Sequence, residues 1–284
     1  LNYLQPDFNQ HSRMDSVEPG GQAMRLRDKV AIITGGGQGI GRAYALRFAR
    51  EGAAVVVADI NEANAAAVAG EIEALGRRSA AMPADVSDET SCNALAQAVE
   101  ERFGCIDVLV NNAAIFHGLD RQQQSLAYFN RILSVNLTGV WLMTRAVERH
   151  MKRRRRGKII NQSSTAAYIA NVGFVDTSDP DRPSPPFHYS LAKLGVSGLT
   201  KFFAGSLGPW GINVNAICPG ATMTEATKSV VPPEILKTIV AATALKRALE
   251  PEDLTGTAVF LASEDSDLMT GQVLVVDGGM IMLG

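Results

Sequence analysis

Short runs of β-branched and other apolar residues alternate along this chain with longer stretches of helical character. That alternation restricts the fold more than any other feature. The strand candidates cover 30–34, 54–58, 79–84, 108–111, 158–162, 213–217 and 272–276. They read as nearly unbroken apolar runs, as strands do when helices cover both faces of their sheet. The segments 39–51, 61–75, 88–103, 125–150, 188–208 and 251–263 fit helices. Repeated strand–helix–strand units close through right-handed crossovers, so the pattern predicts an α/β protein with an open, doubly wound parallel sheet.

The length of 284 residues allows one such domain, and residues 24–284 show no internal boundary, repeat or linker. Residues 1–23 are polar, contain Pro-Gly-Gly and lack the apolar core of a secretory signal. They read as a disordered extension, with Met24 a natural start for the folded part. A composition of 46% hydrophobic and 20% charged residues suits a globular core. A net charge of −2 supplies no field to attract nucleic acid or an anionic membrane. No apolar run approaches the ~18–20 residues that span a bilayer. Three cysteines without metal-ligand spacing predict free thiols in a reducing, cytoplasmic compartment, and four scattered histidines predict no metal site.

The first strand is followed by Thr-Gly-Gly-Gly-Gln-Gly-Ile-Gly over 34–41, leading straight into a helix. Glycines let a backbone turn sharply and approach a pyrophosphate without Cβ clashes. The helix N-terminus adds unshared N–H groups and a positive dipole end. Gly35, Gly39 and Gly41 are spaced Gly-x-x-x-Gly-x-Gly, with Gln38 and Ile40 between them. The strand-to-helix setting separates a dinucleotide turn from a loop that is merely glycine-rich. Asp59 ends the second strand, 18 residues beyond Gly41. A carboxylate there either caps the strand or accepts hydrogen bonds from the adenosine ribose, where it would repel a 2′-phosphate. Ile60 and Asn61 follow it, and with Gln38 in the turn no nearby arginine or lysine offers a phosphate site. The expected cofactor is therefore NAD.

Tyr189 and Lys193 lie four apart at the start of a helix, on one face. A free phenol titrates near pH ~10 and is a poor base at neutrality. A neighbouring ammonium and a positively charged nicotinamide would both lower that value and let the phenol exchange a proton with an alcohol or carbonyl. A Tyr-x-x-x-Lys pair by itself also fits an exposed helix face.

The order of motifs carries more weight than any one of them. The turn at 34–41, Asp59, Asp85-Val86, Asn111-Asn112-Ala113-Ala114, Asn136, Ser163-Ser164, Tyr189-x-x-x-Lys193 and Pro219-Gly220 resemble the short-chain dehydrogenase/reductase family. The resemblance covers residues 25–284, through the closing Gly-Gln-Val-Leu-Val-Val-Asp-Gly-Gly at 271–279. It implies a single seven-stranded Rossmann domain with helices on both faces, commonly assembled as a homotetramer. It also implies Tyr189 as acid/base and Lys193 as the group that binds the nicotinamide ribose and lowers the Tyr189 pKa. Ser164 would bond the substrate oxygen, and Asn136 would hold a relay water. Asp85 and Val86 would meet adenine, and Asn112, Ala113 and Ala114 the adenosine side. Thr222 and Thr224, after Pro219-Gly220, would meet the carboxamide and phosphates. Alternative readings make Asn112 a brace for the central strands, Asn136 a kink in its helix, and Ser163 the catalytic serine.

Two departures stand out. Ala114 replaces the family's usual glycine, and Ser164 and Tyr189 stand 25 positions apart, further than the family places them. The extra residues, including 176–186, are expected to loop out beside the site mouth, which costs little when both ends are anchored. Phe116, Tyr168, Phe174, Phe187 and Met223 are candidate pocket walls, and His188 reads as incidental. The basic run 153–156 reads as a solvated helix end. The expected activity is interconversion of a small-molecule secondary alcohol and a ketone with NAD(H). An NADPH-linked 3-oxoacyl thioester reductase and a catalytically idle dinucleotide-binding protein are the alternatives.

Overall fold

The computed structural model describes residues 24–115, 125–169 and 187–282. The extension at 1–23, Phe116, Phe174 and the loop at 176–186 lie outside the described residues. Seven strands follow in chain order: β1 (Val30–Thr34), β2 (Ala54–Asp59), β3 (Ser79–Pro83), β4 (Val108–Asn111), β5 (Gly157–Gln162), β6 (Ile212–Pro219) and β7 (Val273–Val276). The helices among them are α1 (Gly39–Arg50), α2 (Glu62–Ala74), α3 (Glu89–Phe103), α4 (Leu126–Leu133), α5 (Gly139–Arg154), α6 (His188–Leu207), α7 (Glu225–Val230), α8 (Pro233–Ala242) and α9 (Thr255–Ala262).

The strands form one sheet in the order β3-β2-β1-β4-β5-β6-β7, and every neighbouring pair is parallel. The chain winds outward from β1 to β3, then returns to place β4 on the other side of β1. Connections leave β1 and β4 in opposite directions, and the crevice between them opens at the C-terminal ends of the strands.

Successive side chains divide between two cores. Ile33, Val57, Val110 and Ile160 pack with Tyr44 and Phe48 of α1 and Val259 of α9. Their neighbours Ile32, Val56, Leu109 and Ile159 pack on the opposite face with Val99 of α3, Met143 of α5 and Phe203 of α6. Each large side chain so buried stabilises the fold by roughly 1.5–3 kcal/mol over its exposed state. Helix starts are fixed locally. Asn61 accepts from the Asn64 N–H (3.1 Å), and Asp88 accepts from those of Thr90 and Ser91.

Three elements differ from the sequence pattern. The single helix expected over 125–150 is α4 and α5 joined by a π turn at Ser134–Thr138, which contains Asn136. Such a turn inserts one residue into the backbone ladder and is marked by no residue type, so the sequence does not announce it. β6 extends beyond 213–217 at both ends. The segment between β6 and 251, where the sequence pattern names no helix, holds two, α7 and α8. In the basic run, Arg154 and Arg156 reach the buried carboxylate of Asp107 at 3.4 and 2.7 Å, below the start of β4. Burial alone would raise the Asp107 carboxyl. The Arg156 hydrogen bond and the Val30 N–H outweigh it and hold the group below its ordinary value. Two of the four arginines thus brace the fold.

Candidate active site

The loops at the C-terminal ends of β1, β2, β4, β5 and β6 enclose a cleft of about 760 Å³. The glycine turn forms its floor at one end. Gly35 and Gly39 adopt φ of +61° and +53°, a region that disfavours side chains. A Cβ on Gly35 would stand 2.8 Å from the Ala113 Cα. No side chain caps the start of α1 among the described residues, so Gln38, Gly39 and Ile40 present the helix N-terminus to the cleft. Gly41 does not line the cleft. A Cβ there would lie 2.0 Å from the Gly35 carbonyl oxygen and 2.6 Å from Asn112 Nδ2, so its task is to let the turn close on itself.

Asp59 and Ile60 line the far wall. Asp59 ties the turn to the end of β2, accepting from the Gly37 N–H and the Asn61 N–H, both at 2.9 Å. Each carboxylate oxygen keeps a second lone pair for a ligand. Asp85 and Val86 stand nearby. The Ser87 hydroxyl (2.6 Å) and N–H (2.8 Å) both donate to Asp85 and hold its carboxyl below the ordinary range, against a smaller upward push from burial. Asn112 Nδ2 donates to the Thr34 and Gly35 carbonyls at 3.0 and 3.1 Å, so its side chain braces the turn against β4. The N–H groups of Asn112 and Ala113 donate to Thr34 Oγ1, and Ala113 and Ala114 line the cleft beside it.

At the other end Ser164, Tyr189 and Lys193 converge. A hydrogen bond joins the Ser164 and Tyr189 side chains. Lys193 is 1% exposed, and its Nζ sits 5.5 Å from the Tyr189 ring centre and donates to the Gln162 carbonyl at 2.8 Å. Burial pushes Lys193 down to about 8, partly offset by the Cys218 sulfur. Tyr189 is pushed up to about 12 by burial, which outweighs the opposing hydrogen bond from Ser164. A phenol lowered by the ammonium was expected; here loss of water dominates both groups.

Alternation along β5 separates the two serines. Ser163 points into the sheet face covered by α6, where its hydroxyl donates to the Lys193 carbonyl at 3.0 Å and meets Ser197 Oγ at 3.0 Å. Ser164 faces the cleft. Asn136 is fully buried and does not line it. Its Oδ1 accepts from the Ile115 N–H at 2.8 Å and its Nδ2 donates to the Ile115 carbonyl at 2.9 Å, so the side chain fixes the loop that leaves β4. Pro219, Gly220, Thr222 and Thr224 line the cleft, and Thr224 caps α7, accepting from the Thr227 N–H at 3.1 Å.

Of the candidate walls, Met223 lines the cleft. Tyr168 instead donates to Ser197 at 3.1 Å, and the Phe187 ring packs on Phe129 and His188. His188 is buried in that cluster, and among the described residues neither ring nitrogen has a hydrogen-bond partner. The sequence reading missed Arg42 and Arg131, which both line the cleft. Arg42 directly follows Gly41; its Nε donates to Glu71 at 3.0 Å. Arg131 contacts Ser87 Oγ at 3.4 Å. Gln162 also went unnoticed, although it immediately precedes the serine pair. Its Oε1 accepts from the buried Tyr44 hydroxyl at 3.0 Å, and among the described residues its Nε2 has no partner. Among the described residues no cluster of His, Cys, Asp and Glu could hold a metal ion, and no helix is long and apolar enough to cross a membrane.

Residues 35–281 match the family described as enoyl-(acyl carrier protein) reductase. An uncharacterized oxidoreductase of Mycobacterium tuberculosis is 47% identical over 257 residues, covering 89% of this chain and 98% of that protein. The 3-oxoacyl-[acyl-carrier-protein] reductase of Thermotoga maritima is 34% identical, covering 91% of this chain and 100% of its own length. The 7α-hydroxysteroid dehydrogenase of Escherichia coli K12 is 36% identical, covering 90% and 95%. A solved structure of a 7α-hydroxysteroid dehydrogenase with NADH and 7-oxo glycochenodeoxycholic acid superposes with a TM-score of 0.83 at 35% identity, over 90% of this chain and 96% of that one.

Proposed function

The chain belongs to the short-chain dehydrogenase/reductase family of oxidoreductases, and within it we propose that it interconverts a secondary alcohol and a ketone with NAD(H). The observation that carries this reading is the junction of Ser164 and Tyr189 above buried Lys193, at the end of a cleft that begins on an uncapped helix N-terminus. The turn fits a dinucleotide: Cβ atoms on Gly35 or Gly41 would collide with backbone, and the bare N-terminus of α1 suits a pyrophosphate. A bound nicotinamide dinucleotide supplies the hydride acceptor or donor and, when oxidised, a positive charge beside the phenol.

The chain's own residues handle the proton. With its pKa near 12, Tyr189 is protonated at neutral pH and poised to donate to a carbonyl oxygen as that oxygen gains charge. Ser164 gives the same oxygen a second donor. In the oxidising direction Tyr189 must lose its proton first, and the Lys193 ammonium, charged below about pH 8, stabilises the phenolate. Asp59 stands where the adenosine ribose hydroxyls would lie, which favours NAD over NADP. Arg42 at the rim supports a second reading, an NADPH-linked reductase like the 3-oxoacyl-[acyl-carrier-protein] reductases among its relatives. Comparing kcat/KM for NADH and NADPH decides between the two.

The proposal includes a homotetramer. Leu191, Leu194 and Phe202 stand 41%, 48% and 66% exposed along α6, an apolar strip suited to a second copy, and light scattering tests it. For the chemistry, the test is nicotinamide absorbance during turnover. Tyr189→Phe should lose at least ~10²-fold in kcat while still binding NADH. Full turnover by that variant overturns the mechanism.

A further inference from the structure

The two helices that follow β6 are unlike the others of this fold. No residue of α7 or α8 is buried. Yet Val231, between them, and Leu236 and Ile239 of α8 line the cleft. Ile169, Met223 and Met280 line it as well, and these six aliphatic or thioether side chains come from four separate segments. Leu236 and Ile239 are three apart on a helix and share one face. An apolar helix face that rests on no core normally gains its partner from outside the fold. Here that face belongs to the cleft that holds Ser164 and Tyr189.

Charge points the same way. The cationic side chains lining the cleft, among the described residues, are Arg42, Arg131 and Lys193. Arg42 is engaged by Glu71, Arg131 contacts Ser87, and Lys193 is held on the Gln162 carbonyl. None belongs to the α7–α8 segment. The charged groups there that line the cleft, and on the turn before α9, are Glu225 and Glu252. Lys228 pairs with Glu225 at 2.8 Å and does not line the cleft. A substrate carboxylate or phosphate packed on this segment would meet two carboxylates and, among the described residues, no cation of the segment lining the cleft.

We propose that the substrate is an uncharged secondary alcohol or ketone with an extended hydrocarbon body, packed on Leu236 and Ile239 of α8 and on Met280. This rests on the redox reading given above and names its substrate class. Hydrocarbon buried on this wall strengthens transition-state binding by roughly fourfold per methylene.

The test is kcat/KM with NAD+ for propan-2-ol, butan-2-ol, hexan-2-ol and octan-2-ol, and for 7-hydroxyoctanoate, which is octan-2-ol with a terminal carboxylate. The expected result is a rise of roughly three- to fourfold per methylene and a loss of at least tenfold on adding the carboxylate. In the Leu236→Ser/Ile239→Ser variant the rise should fall below about twofold per methylene, with the chain still unfolding cooperatively in urea, at a lower midpoint, because both side chains are only half-buried. Octan-2-one with NADH should also slow amide hydrogen exchange in α8. A flat series, or equal turnover of 7-hydroxyoctanoate, overturns the proposal even if the chain is a dehydrogenase. Absence of turnover with every alcohol, while octan-2-one still protects α8, sinks the redox reading and leaves the apolar wall supported. Absence of both sinks the two together.

Discussion

Lys193 should make the folded chain less stable than a fold without it, by an amount that pH reveals. The ammonium is 1% exposed, and its pKa falls from 10.5 to about 8. At roughly 1.4 kcal/mol per pH unit, that displacement amounts to about 3 kcal/mol. Below pH 8 the folded and unfolded chains both carry the proton, and the folded chain bears the whole burial penalty. Between pH 8 and 10.5 only the unfolded chain holds it, so stability climbs with pH. Above 10.5 both states are neutral and the penalty has gone. A Lys193→Met variant has no such dependence, while Tyr189 and Cys218, both pushed up to about 12, stay protonated in the folded chain over this range, and their titration in the unfolded chain is common to both proteins and cancels. Equilibrium urea unfolding at fixed protein concentration, without dinucleotide, measures it. The stability of the variant relative to wild type should decline by about 3 kcal/mol from pH 7 to 10.5. A difference that stays constant across that range would refute the reasoning, because it would mean that Lys193 keeps its ordinary pKa in the fold.

Other outcomes follow from single contacts. Gly41→Ala puts a methyl 2.0 Å from the Gly35 oxygen and should abolish NADH binding, measured by fluorescence titration. Gly70→Ala on α2, with nothing within 4 Å, should stabilise the chain by up to ~1 kcal/mol in urea. Ser164→Ala should lower kcat by about 10²–10³ with NADH affinity retained. Ser163→Ala should act mainly on stability, costing roughly 1–2 kcal/mol, because it strips a buried partner from Ser197. Asp59→Asn should narrow the preference for NADH over NADPH by about tenfold, read from paired kcat/KM values.

The strands were legible because a parallel strand covered on both faces leaves an unbroken apolar run, and all seven appear where such runs stand. The glycine turn, Asp59 and the Tyr189–Lys193 pair were legible because their spacing is local. What escaped depends on direction or on distant chain. Gly41 looks like its neighbours in sequence, and only the path of the turn shows that its missing Cβ faces the Gly35 oxygen. Asn136 sits in a π turn, a slip of backbone bonding that no residue type marks. Arg42 carries no local signal, because it lies in the first turn of α1, past the glycine turn and away from the end of β2 where a phosphate partner is expected. Leu236, Ile239 and Met280 form one wall only once β6 and β7 lie side by side. The direction of the Tyr189 shift was misjudged for a related reason: charge is countable in sequence, whereas exclusion of water is a property of the packed cleft.

The central claim is that one substrate oxygen is shared by the hydroxyls of Ser164 and Tyr189 while hydride crosses from the nicotinamide. A crystal structure with NADH and a slowly reduced ketone tests it most directly. The carbonyl oxygen should lie within about 3 Å of both hydroxyls, with the nicotinamide C4 facing the carbonyl carbon. A nicotinamide bound away from Tyr189, or a carbonyl oxygen that touches neither hydroxyl, would contradict it.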